Sequence, residues 1–287
     1  MNLTFDLSEK VAVVTGGGGV LCSGFSKTLA AAGAKVAVCD LRQEAAEKVA
    51  AEIRAEGGTA ISVAMNVLDK ASIEAARDVI VKELGPVNLL LNGAGGNNPK
   101  GSTSRDNLTP EEVAELDEKG VIDGVKTFFD LDPDGISFVF NLNFLGTLLP
   151  TQVFARDMAR TGGTIINVSS MNSFRPLTRI PAYSGAKAAV SNFTEWLAVH
   201  FAPVGIRVNA IAPGFFLTEQ NRTLLTNPDG SLTPRSDKIL GHTPMKRFGV
   251  PADLDGALLW LADEKFSAFV DGIVVPVDGG FAAYSGV

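Results

Sequence analysis

The strongest constraint on the fold is a regular alternation of short apolar runs with helical stretches along the whole chain. The predicted strands are residues 11–15, 35–39, 60–65, 88–91, 164–168, 206–211 and 272–277. The longer predicted helices are residues 135–160, 182–201 and 252–262, and Ala- and Glu-rich helical stretches separate the first four strands. Runs such as Val11 to Val14 lack polar alternation, so both faces should be covered by helices. The pattern predicts an α/β fold with one doubly wound parallel sheet.

Length and composition fit a single domain spanning residues 1–287. The chain has 46% hydrophobic and 20% charged residues, enough for one substantial core, and no repeat or linker divides it. Two long stretches rich in Gly, Pro and charge, near 95–134 and 213–251, are predicted to be irregular loops. Both leave the carboxyl ends of strands, where open α/β sheets bind ligands, so they are the expected substrate loops.

The charge balance limits the partners and the compartment. A net charge of −7 argues against a surface that collects nucleic acid or anionic lipid. The first ten residues lack the order of a secretion signal, and no apolar run approaches a membrane-spanning length, so we expect a cytoplasmic protein. Cys22 and Cys39 lie in apolar segments and are expected to be small buried side chains. With two His and no Cys cluster, no metal site is expected.

A glycine-rich turn follows the first predicted strand. Thr15 precedes four glycines, and a helix is predicted to begin near Val20. Such glycines let the backbone approach a pyrophosphate, whose charge is favoured at a helix N-terminus, although any tight strand-to-helix turn could use them. A phosphate-binding P-loop is excluded because Phe25 stands where the Lys belongs, next to Ser26 at the Ser or Thr position.

Asp40 ends the second predicted strand. A carboxylate there can accept hydrogen bonds from the adenosine ribose and would repel a 2′-phosphate, which favours NAD over NADP. The alternative is a solvated Asp at the end of a strand.

Tyr183 and Lys187 carry the strongest chemical signal. They are four residues apart and therefore share one helix face, and Ser170 lies thirteen residues before the tyrosine at a strand end. A tyrosine has a pKa of ~10, and lowering it towards neutrality requires roughly 3 to 4 kcal/mol of phenolate stabilisation. A nearby ammonium in a partly dry cleft can supply energy of that order.

Together with Asn92 to Gly95 after the fourth strand, these motifs make the whole chain resemble the short-chain dehydrogenase/reductase family. The resemblance implies a Rossmann-like fold and an NAD-dependent oxidoreductase in which Tyr183 exchanges a proton and Ser170 holds the substrate oxygen. It also implies that Lys187 lowers the tyrosine pKa and that Asn143 positions a relay water. A helix-interior Asn can instead only back-bond to a carbonyl.

The resemblance further implies a set of cofactor contacts. They are Gly16, Gly18, Gly19, Asp40, Asn66, Asn92, Ala94, Tyr183, Lys187, Pro213, Gly214 and Thr218. The chain departs from the family pattern at Val20 and Cys22, where the family has glycines. It also has Asn66 where Asp is common, and Asn can still accept a hydrogen bond from an adenine amine.

Within the family, the segments around Asn92 to Pro99 and Ser170 to Pro181 resemble the D-mannonate oxidoreductase (fructuronate reductase) branch. The resemblance implies a homotetramer that interconverts the sugar acids D-fructuronate and D-mannonate, and a related sugar-acid enzyme such as gluconate 5-dehydrogenase is the alternative. The candidate substrate contacts are Asn97, Asn98, Asn172, Arg175, Arg179 and Arg222. The branch usually has His at the position of Asn98.

Two functions of other classes rank lower. A non-catalytic dinucleotide sensor would typically have lost the Tyr or the Lys, and both are present. A serine hydrolase would need a Gly-X-Ser-X-Gly elbow and a His partner for Ser170, and the sequence offers neither.

Overall fold

Seven parallel strands form one sheet in the computed structural model, which describes residues 3–217 and 225–286. The strands are β1 (Val11–Thr15), β2 (Lys35–Asp40), β3 (Thr59–Ala64), β4 (Leu89–Asn92), β5 (Gly163–Val168), β6 (Ile206–Pro213) and β7 (Val274–Val277). Their order across the sheet is β3-β2-β1-β4-β5-β6-β7, and every neighbouring pair is parallel. The predicted doubly wound parallel sheet is confirmed.

Helices cover both faces of this sheet. In chain order the α-helices are α1 (Val20–Ala31), α2 (Gln43–Ala55), α3 (Lys70–Leu84), α4 (Pro110–Lys119), α5 (Pro133–Phe140), α6 (Gly146–Met158), α7 (Pro181–Phe201), α8 (Pro234–His242), α9 (Asp255–Ala262) and α10 (Glu264–Ser267). One apolar core joins the sheet to α1, α2 and α9, and a second joins it to α3, α6 and α7. Val13 faces one core and Val14 the other, which explains why the strands lack polar alternation.

Three segments differ from the prediction. Residues 135–160 are not one α-helix, because a π-helical turn at Asn141–Leu145 separates α5 from α6. The two stretches predicted to be irregular contain α4 and α8. Thr109 begins α4 with a capping box to Glu112 and a proline at the first helical position, which is a recognisable helix start.

The helical run Pro133–Met158 is long and apolar enough to cross a membrane by length and composition, contrary to the expectation from sequence. Half of its apolar window is buried in the protein. Helix α5 packs against α7 and α6 packs against α3, as expected for a core helix.

The strand order reverses between β1 and β4. From β1 the chain proceeds outward to β2 and β3, and then crosses to β4 on the other side. Thr15 and Asn92, the last residues of β1 and β4, pair with each other at this point. A crevice at the carboxyl ends of two such strands is where doubly wound sheets bind ligands.

Candidate active site

Ser170, Tyr183 and Lys187 come together at the carboxyl end of β5. Ser170 follows the strand and accepts a hydrogen bond from the Asn172 amide (3.3 Å), which fixes the turn at Met171–Ser173. Tyr183 and Lys187 lie one turn apart near the start of α7. The Ser170 side chain is close enough to Tyr183 to lower the pKa of the phenol by hydrogen bonding.

Lys187 is anchored beneath the tyrosine. Its Nζ donates to the Val168 carbonyl oxygen (2.7 Å) and lies 5.7 Å from the centroid of the Tyr183 ring. A Cβ placed on Gly95 would lie 3.2 Å from this Nζ and 2.6 Å from Asn143 Oδ1. Gly95 therefore leaves the space in which Lys187 and Asn143 approach each other.

The side chain of Asn143 braces the loop after β4. Asn143 lies in the π-helical turn, and its Nδ2 donates to the carbonyl oxygens of Gly96 (2.7 Å) and Val139 (2.8 Å). Its Oδ1 accepts a hydrogen bond from the Gly96 amide (3.3 Å). The back-bonding alternative is thus present, and the same side chain also holds Gly96 against the turn. A role in a proton relay stays a prediction.

The ionisation of the Tyr–Lys pair differs from the sequence expectation. Burial raises the pKa of Tyr183, and the Ser170 hydrogen bond only partly offsets that rise. Burial also lowers the pKa of Lys187 from 10.5 to about 8. The expected lowering of the tyrosine pKa is not seen, because burial penalises the Tyr183 phenolate more than the Ser170 hydrogen bond stabilises it.

We expect Lys187→Met to have a larger free energy of unfolding than the parent chain at pH 7. Below pH 8 the buried Lys187 ammonium lowers the free energy of unfolding of the parent chain by roughly 3 kcal/mol. The reason is that the pKa of Lys187 is about 8 in the folded chain and 10.5 in the unfolded chain. Losing the hydrogen bond to Val168 offsets about 1 kcal/mol. Between pH 8 and 10.5 only the unfolded chain binds this proton, so parent stability rises with pH and the advantage of the variant shrinks. Denaturant unfolding at pH 7 and pH 10 checks this, and an equal difference at both pH values would refute it.

The turn after β1 forms one wall of the crevice. Thr15 Oγ1 accepts hydrogen bonds from the amides of Gly93 (3.0 Å) and Ala94 (3.1 Å), which joins this turn to the loop after β4. Gly16 has φ +65°, and a Cβ there would lie 2.9 Å from the Ala94 Cα. Only glycine fits this combination of backbone conformation and close approach.

Gly18 and Gly19 have different roles in the turn. The Gly18 amide donates to Asp40 Oδ2 (3.1 Å) and so orients the Asp40 carboxylate. A Cβ on Gly18 would lie 2.6 Å from the Cβ of Ala45, so a larger residue would clash with α2. Gly19 begins α1 without a side-chain cap, and a Cβ there would lie 3.1 Å from the Gly16 carbonyl oxygen. The first amides of α1 are therefore suited to a pyrophosphate, and the turn fits a dinucleotide.

Cys22 packs beside the loop after β4. A Cβ on Gly93 would lie 2.2 Å from the Cys22 sulfur, so the sulfur occupies the space that a side chain at 93 would need. Cys22 is 6% exposed and burial raises the pKa of its thiol to about 12. This departure from the family pattern is accommodated by Gly93, on the side of α1 that faces β4.

The remaining predicted cofactor residues have varied surroundings. Asn66 Oδ1 accepts the Leu68 amide (3.0 Å) in a local turn, and the residue is exposed. Asn92 is buried, and its Nδ2 donates to side chains on α6 and β5, so a cofactor contact would have to use its Oδ1 or main chain. Pro213 ends β6, and the Gly214 amide donates to the Val277 carbonyl oxygen (3.0 Å). Thr218 and Arg222 lie outside the described residues.

The predicted substrate contacts separate into engaged and available side chains. Asn97 Nδ2 donates to Ser102 (3.1 Å), and Asn98 Oδ1 accepts the Lys100 amide (2.9 Å) as a helix cap. Asn172 is buried, and its Oδ1 has no partner among residues 3–217 and 225–286.

Of the two arginines in the loop before α7, one is engaged and one is available. Arg179 Nε is paired with Asp106 Oδ1 (2.6 Å), so a substrate carboxylate would compete with this ion pair, and the role of Arg179 as a substrate contact stays a prediction. Arg175 is exposed, and its guanidinium donates to the neighbouring Phe174 carbonyl oxygen (3.1 Å). Within the described part of the chain, no ion pair of Arg175 is seen. Asp106 was not singled out from the sequence, since its partners are 73 and 132 residues away.

Known proteins share both sequence and architecture with this chain. The short chain dehydrogenase family model matches residues 10–229. A Haemophilus influenzae protein called an uncharacterized oxidoreductase is 56% identical over 98% of this chain and 96% of its own length.

Two solved structures extend the comparison. A Haemophilus protein provisionally named a D-mannonate oxidoreductase, with bound NAD, is 54% identical, covers 98% of both chains and has a TM-score of 0.92. A gluconate 5-dehydrogenase from Burkholderia cenocepacia, in complex with NADP and tartrate, is 30% identical, covers 97% of both chains and has a TM-score of 0.79. The chain is a member of the short-chain dehydrogenase/reductase family, an oxidoreductase that acts on CH–OH groups with a nicotinamide dinucleotide.

Proposed function

We propose that the protein interconverts D-fructuronate and D-mannonate with NAD(H). The observation that carries this proposal is the exposed Arg175 guanidinium, without an ion pair in the described chain, in the loop between Ser170 and Tyr183. A planar guanidinium can bind a carboxylate through two parallel hydrogen bonds. The 54% identical structure named for D-mannonate supports the same substrate class.

In the proposed reduction, each of the four polar side chains has one task. The Ser170 hydroxyl holds the carbonyl oxygen, and the Tyr183 hydroxyl gives that oxygen its proton. Lys187, held by Val168, then faces the phenolate that is left, and its ammonium lowers the cost of that charge. Asn143 keeps the Gly95–Gly96 loop in place above Lys187. When bound, the reduced dinucleotide supplies the hydride that the carbonyl carbon takes up.

Asp40 favours NAD within this proposal, and we expect NADH to be used much better than NADPH. Its carboxylate is held by the Gly18 and Arg42 amides at the end of β2, where a 2′-phosphate would meet a like charge. Arg42 Nε is 4.0 Å from Asp40, but its side chain is 73% exposed and screens the acid weakly. Steady-state kinetics with both dinucleotides test this preference. We expect Asp40→Ser to reduce the difference in kcat/KM between NADH and NADPH. Equal efficiency of the parent with both would contradict the role of Asp40.

A substrate panel tests the function itself. Dinucleotide consumption is measured with D-fructuronate, D-tagaturonate, 5-ketogluconate and the neutral ketose D-fructose. We expect the highest kcat/KM for D-fructuronate, and the reverse reaction with D-mannonate and NAD. The highest kcat/KM for 5-ketogluconate would instead support the alternative function, gluconate 5-dehydrogenase. That is the name of the Burkholderia cenocepacia enzyme at 30% identity.

We also propose a cytoplasmic homotetramer. Helix α7 carries an exposed aromatic face in which Trp196 stacks on His200 (4.7 Å between ring centroids) and on Phe193 (6.1 Å). Trp196 is 56% exposed and Val199 is 79% exposed, and an exposed apolar patch of neighbouring side chains is typical of a subunit contact. Light scattering coupled to size exclusion gives the subunit number directly.

A further inference from the structure

Asp106 is the meeting point of three chain segments that are distant in sequence. Its Oδ1 accepts hydrogen bonds from Arg179 Nε (2.6 Å) and Thr178 Oγ1 (3.0 Å), both in the loop between Ser170 and α7. Its Oδ2 pairs with Lys238 on α8. Asp106 itself belongs to the long segment between β4 and α5. We call Asp106, Thr178, Arg179 and Lys238 the Asp106 clasp.

The main chain supports the same junction. Arg179 has φ +64°, a conformation that costs a side chain roughly 1 kcal/mol and persists only where its surroundings enforce it. The Thr103 amide donates to the Arg179 carbonyl oxygen (2.8 Å), so Asp106 and Thr103 hold both the side chain and the backbone of this residue. Arg179 lies two residues before Pro181, where α7 begins.

The segment that carries Asp106 also touches the catalytic helix. A Cβ on Gly101 would lie 3.4 Å from the Cβ of Ala182, the neighbour of Tyr183. A Cβ on Gly135 would lie 2.5 Å from the Lys100 Cβ, so the segment packs tightly on the start of α5 as well. A displacement of residues 99–106 would therefore change the packing directly beside Tyr183.

The charges favour a clasp that stays closed. Two cations share one carboxylate, and the hydrogen bonds from Lys238, Arg179 and Thr178 hold the pKa of Asp106 well below its usual range. The Asp106 side chain is 23% exposed, less than those of Lys238 and Arg179. Asp106 thus stays ionised at any pH at which the enzyme would be assayed.

We infer that Asp106 is a positioning residue that holds the 99–109 segment, the entry to α7 and α8 in the arrangement that receives the substrate, an inference that rests on the proposed function. Before substrate arrives, the clasp keeps these segments ordered, and without it substrate binding must order them. The apparent Kd for substrate then rises, because it equals the intrinsic Kd divided by the fraction of molecules in which these segments are already ordered. None of the four clasp residues lies in the turn after β1 or at the end of β2, where Gly16 to Gly19 and Asp40 are the expected dinucleotide contacts.

Hydrogen exchange tests the clasp without any turnover. Asp106→Asn keeps the side-chain shape and removes the charge, and amides in α8 and residues 103–109 should exchange about tenfold faster. Glu115→Gln is the matched control, because it removes one carboxylate from the same segment whose ion pair to Lys119 stays within α4 (3.2 Å). Lys238→Gln should speed exchange in α8 alone. Unchanged exchange in Asp106→Asn, or the same change in Glu115→Gln, would overturn the inference.

Kinetics test the link from the clasp to the site. Asp106→Asn should raise the KM for D-fructuronate about 5- to 30-fold while the KM for NADH and kcat stay within about twofold. Asp106→Glu should recover part of the loss. A rise in exchange with an unchanged substrate KM would overturn the positioning role. If the parent chain turned over no sugar acid, the proposed function would fail, and the exchange experiment would still decide whether the clasp exists.

Discussion

Replacing Tyr183 by Phe is expected to lower turnover at least ~100-fold while the dinucleotide still binds. A general acid positioned on the reacting oxygen typically contributes 10² to 10⁴ in rate, and the variant lacks only the hydroxyl. The Tyr183 ring also packs near Lys187, and the Phe ring preserves that contact, so folding should be unaffected. Steady-state kinetics with D-fructuronate and fluorescence titration with NADH measure the two quantities.

The chain offers a matched control for this variant. Tyr284 is the other of its two tyrosines and lies near the carboxyl terminus, with its ring 6.4 Å from that of His242. Tyr284→Phe removes the same atom and should keep turnover within about twofold. Near-normal turnover of Tyr183→Phe would mean that another group protonates the substrate, and loss of NADH binding in that variant would mean that the change is not confined to proton transfer.

Arg175→Ala is expected to lower kcat/KM on D-fructuronate by ~10- to 150-fold. A charge-assisted contact with the substrate carboxylate is worth roughly 1.5 to 3 kcal/mol, and no ion pair of Arg175 in the described chain competes for this guanidinium. Arg175→Lys should recover only part of the loss, because an ammonium lacks the planar fork. The measurement is kcat/KM for each variant on D-fructuronate and D-fructose.

Two controls separate substrate binding from loop anchoring. D-Fructose has the same carbon number and no carboxylate, so its use should be unaffected by Arg175→Ala. Arg156 is an exposed arginine on α6, and Arg156→Ala removes the same charge from the protein without touching the loop before α7. Equal losses on the charged and the neutral substrate would show that Arg175 only supports the loop, and the carboxylate would then have to bind elsewhere.

The fold was predictable because its signals are local. Each strand is a short apolar run, and a parallel sheet buried on both faces requires that composition. The π-helical turn at Asn141–Leu145 left no such signal, since its residues are as apolar as those of the helices on either side. The capping box at Thr109 was visible in the sequence, but the Gly, Pro and charge content of 95–134 outweighed it and concealed α4.

The candidate site divides in the same way. Ser170, Tyr183 and Lys187 could be predicted because two of them share a helix face and the third ends a neighbouring strand. The partnership of Asp106 with Arg179 and Lys238 could not, because it spans 73 and 132 residues and depends on where two loops meet. The direction of the tyrosine pKa shift was also beyond sequence reasoning, since it is set by the burial of the Tyr183 side chain.

Transfer of deuterium from NADH labelled twice at C4 tests the central claim most directly. The protein, the labelled dinucleotide and D-fructuronate are incubated together, and the product is identified by NMR. The proposed function predicts D-mannonate with one deuterium at C5, the carbon that carried the carbonyl group. A product without deuterium, a label at another carbon, or the opposite configuration at C5 would contradict it.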